Sequence, residues 1–405
     1  MTDVDPDVVR SLRRLLSRRS VLRGASAAGL LAAGGPLLAA CGTKAATKST
    51  SEQAASKDLS DTEKVVNFSN WPLYIDVDAK NEKVHPTLEA FTKQTGIKVN
   101  YVEDINDNDQ FFGKIRADLA AGSDIKRDIV VLTDWMAARL IRLKWVQTLD
   151  IKNIPNVKNL QPSLQKVAFD PDRATKPYSL PWQGTMAGIA YNKKVTKKVS
   201  SMKELFTRAD LKGKVTALTE MRDTVGLVLL DNGADPANVT DAQYDQALAT
   251  IESAVKSGQI RRFTGNDYTQ DLASGNVAAC VAWSGDIVQL QADNPNIEFL
   301  IPEAGGTRGN DDLMVPNKAA HKKNAEELIN YYYDPKIAAQ LAAYVNYICP
   351  VVGAQEEMQK LDPEAAKNPL IFPADADYAK LHSFKALDDK TEQTYNTKFQ
   401  KVIGA

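Results

Sequence analysis

From residue 63 onward, apolar positions recur with two alternating periods. Val65-Val66-Asn67-Phe68 reads as a strand, Val84 to Thr95 as an amphipathic helix closed by Gly96, and Ile97 to Val102 as a second strand. Phe111, Phe112, Ile115 and Leu119 fall at helical spacing, and Asp128 to Leu132 is a third strand. This βαβαβ order predicts a mostly parallel sheet with helices on both faces. The pattern then passes through a Pro/Gly-rich stretch, Pro177 to Asn192, and restarts. Strands are expected at Ala187–Tyr191, Lys214–Leu218 and Val277–Trp283, with helices at Asp223–Leu230 and Asp241–Ser257. After the turn-rich Gly305-Gly306-Thr307-Arg308-Gly309-Asn310 comes a strand, Asp311 to Val315, and then mainly helix. The simplest account is two α/β lobes, with the chain crossing between them near 180 and again near 310.

The N-terminus follows a different pattern. Six arginines precede an uncharged Ala, Gly and Leu run from Gly24 to Ala40, the n-region and h-region of a signal peptide. The run is too short and Gly-rich for a membrane-spanning helix of about 20 residues. Ser17-Arg18-Arg19-Ser20-Val21-Leu22-Arg23 resembles the twin-arginine export signal. Leu38-Ala39-Ala40-Cys41-Gly42 resembles the bacterial lipobox, which predicts a mature chain starting at Cys41 with a diacylglycerol on its sulfur. Gly42 to Leu59 has no aromatic residue and reads as a flexible tether spanning roughly 20–25 Å.

Charge narrows the partners. The chain has 50 basic and 51 acidic residues. Removing the leader's six Arg and three Asp leaves 44 against 48, a mildly acidic body unsuited to nucleic acid. The three histidines, His85, His321 and His382, sit beside no serine in an elbow motif, and Ala282-Trp283-Ser284-Gly285-Asp286 lacks the first glycine of G-x-S-x-G. Lys212-Gly213-Lys214-Val215 is not a P-loop, no G-x-G-x-x-G occurs, and His/Cys spacing offers no zinc site. Neither metal nor cofactor is expected. Cys280 and Cys349 pair in an oxidising compartment or stay free; sequence does not choose.

Aromatic and acidic residues collect at expected strand ends, where open α/β sheets bind ligands. Asn70-Trp71-Pro72-Leu73-Tyr74 follows the first strand and Thr133-Asp134-Trp135 the third. Pro181-Trp182-Gln183-Gly184 lies at the first crossing. Leu218-Thr219-Glu220-Met221-Arg222-Asp223, Ala282 to Asp286 and Asp311-Asp312 take equivalent places in the second half. Two readings stay open for each: Trp71 covers a sheet end or meets a ligand, and Glu220 and Asp223 complement a helix dipole or bind a cation. Jointly, aromatic faces with carboxylates describe a box for an organic cation.

In this order the motifs resemble those of the spermidine/putrescine-binding periplasmic proteins, the substrate-binding lipoproteins of ABC importers. The pieces that carry the likeness are Asn70-Trp71 to Tyr74, Ala282 to Asp286, Phe299 to Gly306 with Asp311 to Pro316, and Asn346-Tyr347. The resemblance implies a two-lobed type II periplasmic-binding-protein fold, each lobe a mixed, mostly parallel sheet flanked by helices, with the ligand cleft between lobes. Residues 1–40 become the signal peptide, 41–62 the lipidated Cys41 and tether, 63–180 plus 311–365 lobe 1, and 181–310 plus 366–405 lobe 2. By matching motifs, Trp71, Tyr74, Trp135, Trp283 and Tyr347 wall the ligand. Glu220, Asp223, Asp286 and Asp311 hold ammonium groups, with Thr133 and Gln183 as further polar contacts.

The implied function is non-catalytic capture of a polyamine by a monomer held at the outer face of the cytoplasmic membrane, and its delivery to a permease. Two departures bear on the ligand. Leu73 stands where spermidine binders place an acidic residue, and Gly309-Asn310, with Arg308 close by, stand where the family has an aromatic. They imply a wider, less cation-dedicated cavity. Another small organic cation or an amino-acid-like ligand is the alternative on the same scaffold, favoured if Arg308 points into the cleft. A secreted hydrolase with Glu220 or Asp286 as general acid is the rival of another class.

Overall fold

The computed structural model describes residues 57–404. The signal peptide, Cys41 and most of the tether lie outside the described residues. In the first lobe β1 (Val65–Asn70) is flanked in parallel by β2 (Lys98–Glu103) and β3 (Ile129–Thr133). The crossovers are α1 (Pro86–Thr95) and α2 (Asn108–Ala120), and α3 (Asp134–Arg142) follows β3 without a break. Pro86 opens α1, where its fixed φ and missing N–H cost nothing. Gly96 closes it at φ 75°, a left-handed cap that favours glycine. Residues of β3 alternate between two cores, Ile129 and Val131 on one face, Val130 and Leu132 on the other. Burial on both faces is why this strand reads as an unbroken apolar run.

The second lobe is built on β4 (Leu180–Asn192), β5 (Val215–Leu218), β6 (Ile260–Thr264), β7 (Ala279–Trp283) and β8 (Ile297–Leu300). Around them pack α4 (Met202–Thr207), α5 (Met221–Asp231), α6 (Asp241–Lys256), α7 (Tyr268–Ser274) and α8 (Ser284–Asp293). The chain returns through β9 (Gly306–Met314) to α9 (Lys322–Tyr332), α10 (Pro335–Val345) and α11 (Ala354–Leu361). It ends with α12 (Asp375–Tyr378), β10 (Leu381–His382) and α13 (Asp389–Ile403). The sheet runs β2-β1-β3-β9-β4-β7-β5-β6, with β10 beside β9 and β8 beside β4.

The crossings are strands where the sequence suggested turns. β4 and β9 pair antiparallel from Leu180–Leu313 to Ala187–Thr307, joining the two halves of the sheet. β4 takes in Pro181 to Gly184, and Pro181 is tolerated because the register slips between it and Gln183. The run Gly305 to Asn310, expected as a turn, is extended from Gly306. A Cβ there would lie 2.9 Å from the Ala187 carbonyl, so glycine serves close approach of two strands rather than a bend. β6 and β8 were not expected at all.

One core fills the second lobe and includes Tyr395 and Phe399 of α13. Two others cover the faces of the first half-sheet. A small cluster of Met186, Ile348 and Leu381 sits at the junction. Cys280 and Cys349 are free and buried in separate cores. No helix among the described residues is long and apolar enough to cross a membrane, and no cluster among them fits a metal ion.

Candidate functional site

The loop after β1 is shaped by its own hydrogen bonds. Asn70 Oδ1 accepts the Trp71 N–H (2.9 Å), and Glu103 accepts that of Leu73 (3.2 Å). Leu73 adopts φ 57°, a left-handed conformation that costs a branched residue roughly 1–2 kcal/mol. That turn leaves Leu73 outside at 55% exposure and drives Tyr74 inward to 5%. The inturned Tyr74 hydroxyl donates to Asp311 Oδ2 (2.8 Å), and its ring meets Tyr347 edge-on at 5.0 Å. Trp71 is half-buried between the two first-lobe cores, its Nε1 without a protein acceptor.

Asp311 lies on β9 directly between Thr133 of β3 and Gln183 of β4. Directly opposed residues share a face of the sheet, so this register sets three polar side chains in one row. Thr133 Oγ1, Asp311 Oδ1 and Gln183 Oε1 are all buried without a protein hydrogen bond. Burial, reinforced by Asp134, Asp312 and Asp223 and opposed by the Tyr74 hydrogen bond, pushes the Asp311 carboxyl up to about 7. A carboxylate with one uncommitted oxygen between two oxygen-bearing neighbours has the acceptor set for an ammonium group.

The second lobe answers with two helix starts. At α8, Asp286 accepts from the Tyr268 hydroxyl (2.7 Å), Asn266 Nδ2 (3.0 Å) and, from the first lobe, the Tyr347 hydroxyl (2.8 Å). Burial raises its pKa against those three bonds. At α5, Glu220 caps the helix by accepting the Arg222 N–H and also accepts Trp135 Nε1 from the first lobe (3.3 Å). Burial pushes Glu220 up to about 8 despite the nearby Arg222 guanidinium. Asp223 accepts from Trp283 Nε1 (2.8 Å) and Thr307 Oγ1 (2.6 Å), with its pKa raised by burial.

All eleven expected residues therefore fall around the junction, in two adjoining groups linked by Trp283 and by the Thr133–Asp311 strand pair. Tyr74, Asp311, Tyr347, Asp286 and Trp283 form one end, with Trp71 and Gln183 beside them. Thr133, Trp135, Glu220 and Asp223 line a cavity of about 610 Å³ at the other. Trp135 is not a bare wall, because the Arg222 guanidinium stacks 4.1 Å from its ring centroid and Arg139 lies 5.1 Å away. Trp182 is core: 2% exposed, its Nε1 donates to the Tyr74 carbonyl and its ring packs on Phe68 and Tyr332. Asp134, Arg222, Tyr268 and Thr307 were missed. Asp134 and Arg222 stood inside quoted motifs, but nothing in the sequence marked Tyr268 or Thr307.

Two α/β halves joined by paired strands, with aromatic and acidic side chains gathered at the joint, define a two-lobed ligand-binding protein. Residues 87–374 match the bacterial extracellular solute-binding protein family, and the chain belongs to it. It is 29% identical over 368 residues to the putrescine-binding periplasmic protein PotF of Escherichia coli, covering 85% of this chain and 92% of that one. It is 27% identical to the spermidine/putrescine-binding periplasmic protein of the same species, covering 84% and 92%. Among solved structures, it shares its fold with the spermidine/putrescine ABC transporter substrate-binding protein PotD of Streptococcus pneumoniae, with TM-score 0.68 and 23% identity. That likeness covers 84% of this chain and 98% of the other.

Proposed function

We propose that this chain is the extracytoplasmic receptor of an ABC importer, that it captures a polyamine between its lobes, and that it delivers the ligand to the permease without catalysis. One observation carries the reading: Asp311 keeps an uncommitted, buried carboxylate oxygen between Thr133 and Gln183, beside the rings of Tyr74 and Tyr347. Primary amines are charged at neutral pH and need an anion when desolvated, and methylenes pack on aromatic faces. The names of the relatives above support the same ligand class.

Lobe 1 would comprise 63–180 plus 311–365 and lobe 2 the remainder, pivoting on β4 and β9. The body works as a monomer. Export through the twin-arginine signal and lipidation at Cys41 would keep it within reach of the permease, raising its effective concentration there.

Calorimetry with putrescine, spermidine and spermine tests the reading. Asp286→Ala and Asp311→Ala should each weaken binding at least tenfold while the protein stays folded, since truncation strands a buried ammonium at a cost of about 2–5 kcal/mol. No heat and no thermal shift with any of the three amines removes the assignment.

A further inference from the structure

Two opposite charges face the 610 Å³ cavity with no ion-pair partner among the described residues. Asp134, the first residue of α3, accepts the backbone N–H groups of Asn310, at 3.4 Å, and Trp135, and the Arg222 guanidinium favours its charged form against burial. Arg308, on β9, has the ring of Tyr378 at 5.6 Å from its guanidinium carbon, and its Nε is buried without a hydrogen bond. Gly309 follows Arg308 on β9 and lies against Asp134, where a Cβ would be in ordinary contact, 3.5 Å from Asp134 Oδ2 and Thr185 Oγ1. A third charge faces the same space: Arg222, 8% exposed, pairs through Nη2 with Glu392 at 2.6 Å and keeps Nη1 buried without a hydrogen bond above Trp135, 4.0 Å from Glu220.

This end of the cleft is poorly made for an ammonium that has no carboxylate beside it. Besides Asp134, such a group would meet two guanidinium ions, a tryptophan face already covered by one of them, and a Glu220 that burial holds neutral near pH 7. A carboxylate would meet the reverse, because guanidinium groups match its geometry.

We infer that this cleft also takes, beyond a polyamine, a ligand that carries a carboxylate as well as ammonium groups, the carboxylate resting on Arg308 and Arg222, one ammonium on Asp134, and a far amine on Asp311. That further ligand class is an amino acid with an aminoalkyl side chain, a diamine to which one carboxylate has been added. The inference rests on reading the cleft as an amine site and adds the anionic group to it.

Matched pairs test this directly, since 1,4-diaminobutane and ornithine, or 1,5-diaminopentane and lysine, differ by a single carboxylate. Calorimetry on the wild-type protein should show the carboxylated member binding at least tenfold tighter. Arg308→Gln should reduce that member's affinity at least tenfold and raise the diamine's, because a repelling cation is gone; Arg308→Lys should recover part of the preference. If the variants do not fold, the wild-type comparison decides alone. A diamine that binds as tightly as its carboxylated counterpart, or more tightly, overturns the inference and leaves the amine site standing. A folded Arg308→Gln protein that shifts neither member also overturns it. Tight ornithine or lysine binding with no diamine binding supports it and removes the polyamine assignment. Binding of neither member removes both.

Discussion

Tyr347 lies against Gly285 across the lobe boundary at a distance only glycine permits: a Cβ at Gly285 would sit 2.2 Å from Cδ2 of the ring. The same ring sends its hydroxyl to Asp286 one residue further along α8. Gly285 is not in the left-handed region, so alanine is compatible with its backbone. Gly285→Ala should therefore leave α8 intact and prop the lobes apart. The expected result is a melting temperature within a few degrees of wild type, at least tenfold weaker ligand binding, and no ligand-induced contraction in small-angle scattering. A variant that contracts like the wild type shows that the Tyr347 ring can move aside.

Acidification should move stability and affinity in opposite directions. Asp311 at about 7 and Glu220 at about 8 lie above their ordinary values, so the folded protein holds protons that the unfolded chain has released. For groups raised this way stability is gained as pH falls through the folded pKa and levels off below the unfolded one, near 4. Asp311 alone contributes about 2 kcal/mol between pH 8 and pH 5.5. An ammonium at Asp311 needs the ionised carboxylate, so its binding expels that proton and weakens about tenfold for each pH unit below 7. Thermal unfolding against pH, with calorimetry in buffers of different ionisation enthalpy, checks both signs. Amine affinity that rises on acidification contradicts the Asp311 assignment.

The residues just after the tether are fastened to the first lobe by a histidine. His321 Nδ1 meets Asp128 and Nε2 meets Glu63, each at 3.0 Å, while Asn324 Nδ2 donates to the Glu63 carbonyl. Burial opposes a charged ring, but the two carboxylates outweigh it and the pKa is raised. The stabilisation is present below about 6.5 and is lost as pH rises through the folded value. Hydrogen exchange across residues 57–64 should accelerate between pH 6 and pH 8.5, after correction for intrinsic rates, more than exchange in β3. Equal corrected rates at both pH values mean that the fastening does not depend on the charged ring.

The first lobe was legible because its strands and helices each keep a single period: β3 is apolar on both faces, and α2 repeats Phe111, Ile115 and Leu119. The crossings were not legible, because Gly306 looks like a turn residue until the neighbouring strand is seen pressing on it. β6 was hidden because Arg261 and Arg262 interrupt its apolar positions and face solvent. Within the site, the row Thr133, Asp311 and Gln183 depends on strand register, which no local pattern encodes. Trp182 misled for the same reason: once its segment became a strand, its side chain turned into the core. Motif order found the acidic residues, and only the fold showed that Asp286 already accepts from three protein donors while Asp311 keeps one oxygen without any.

Glu392 offers a way to separate closure from ligand contact. It sits on α13, whose Tyr395 and Phe399 belong to the second-lobe core, and it is 3% exposed. Arg222 of the same lobe donates to it at 2.6 Å, while Arg139 (3.2 Å) and Arg142 (3.3 Å) reach it from α3, which packs on the first-lobe core. Opening the cleft would break only the α3 pair. Glu392→Gln keeps the shape and removes the charge, so the closed form should lose about 1.5–3 kcal/mol relative to the open one, the value of hydrogen bonds to a charged group. Ligand dissociation should then accelerate about tenfold or more, because about 1.4 kcal/mol corresponds to that factor. Asp389, which also meets Arg142 but is largely exposed, serves as the control; Asp389→Asn should change the rate less than threefold, as exposed pairs contribute little. Stopped-flow dissociation measured on both variants decides. If Glu392→Gln lowers the melting temperature while leaving dissociation unchanged, the carboxylate only stiffens the second lobe, and the α3 arginines have no part in holding the cleft closed.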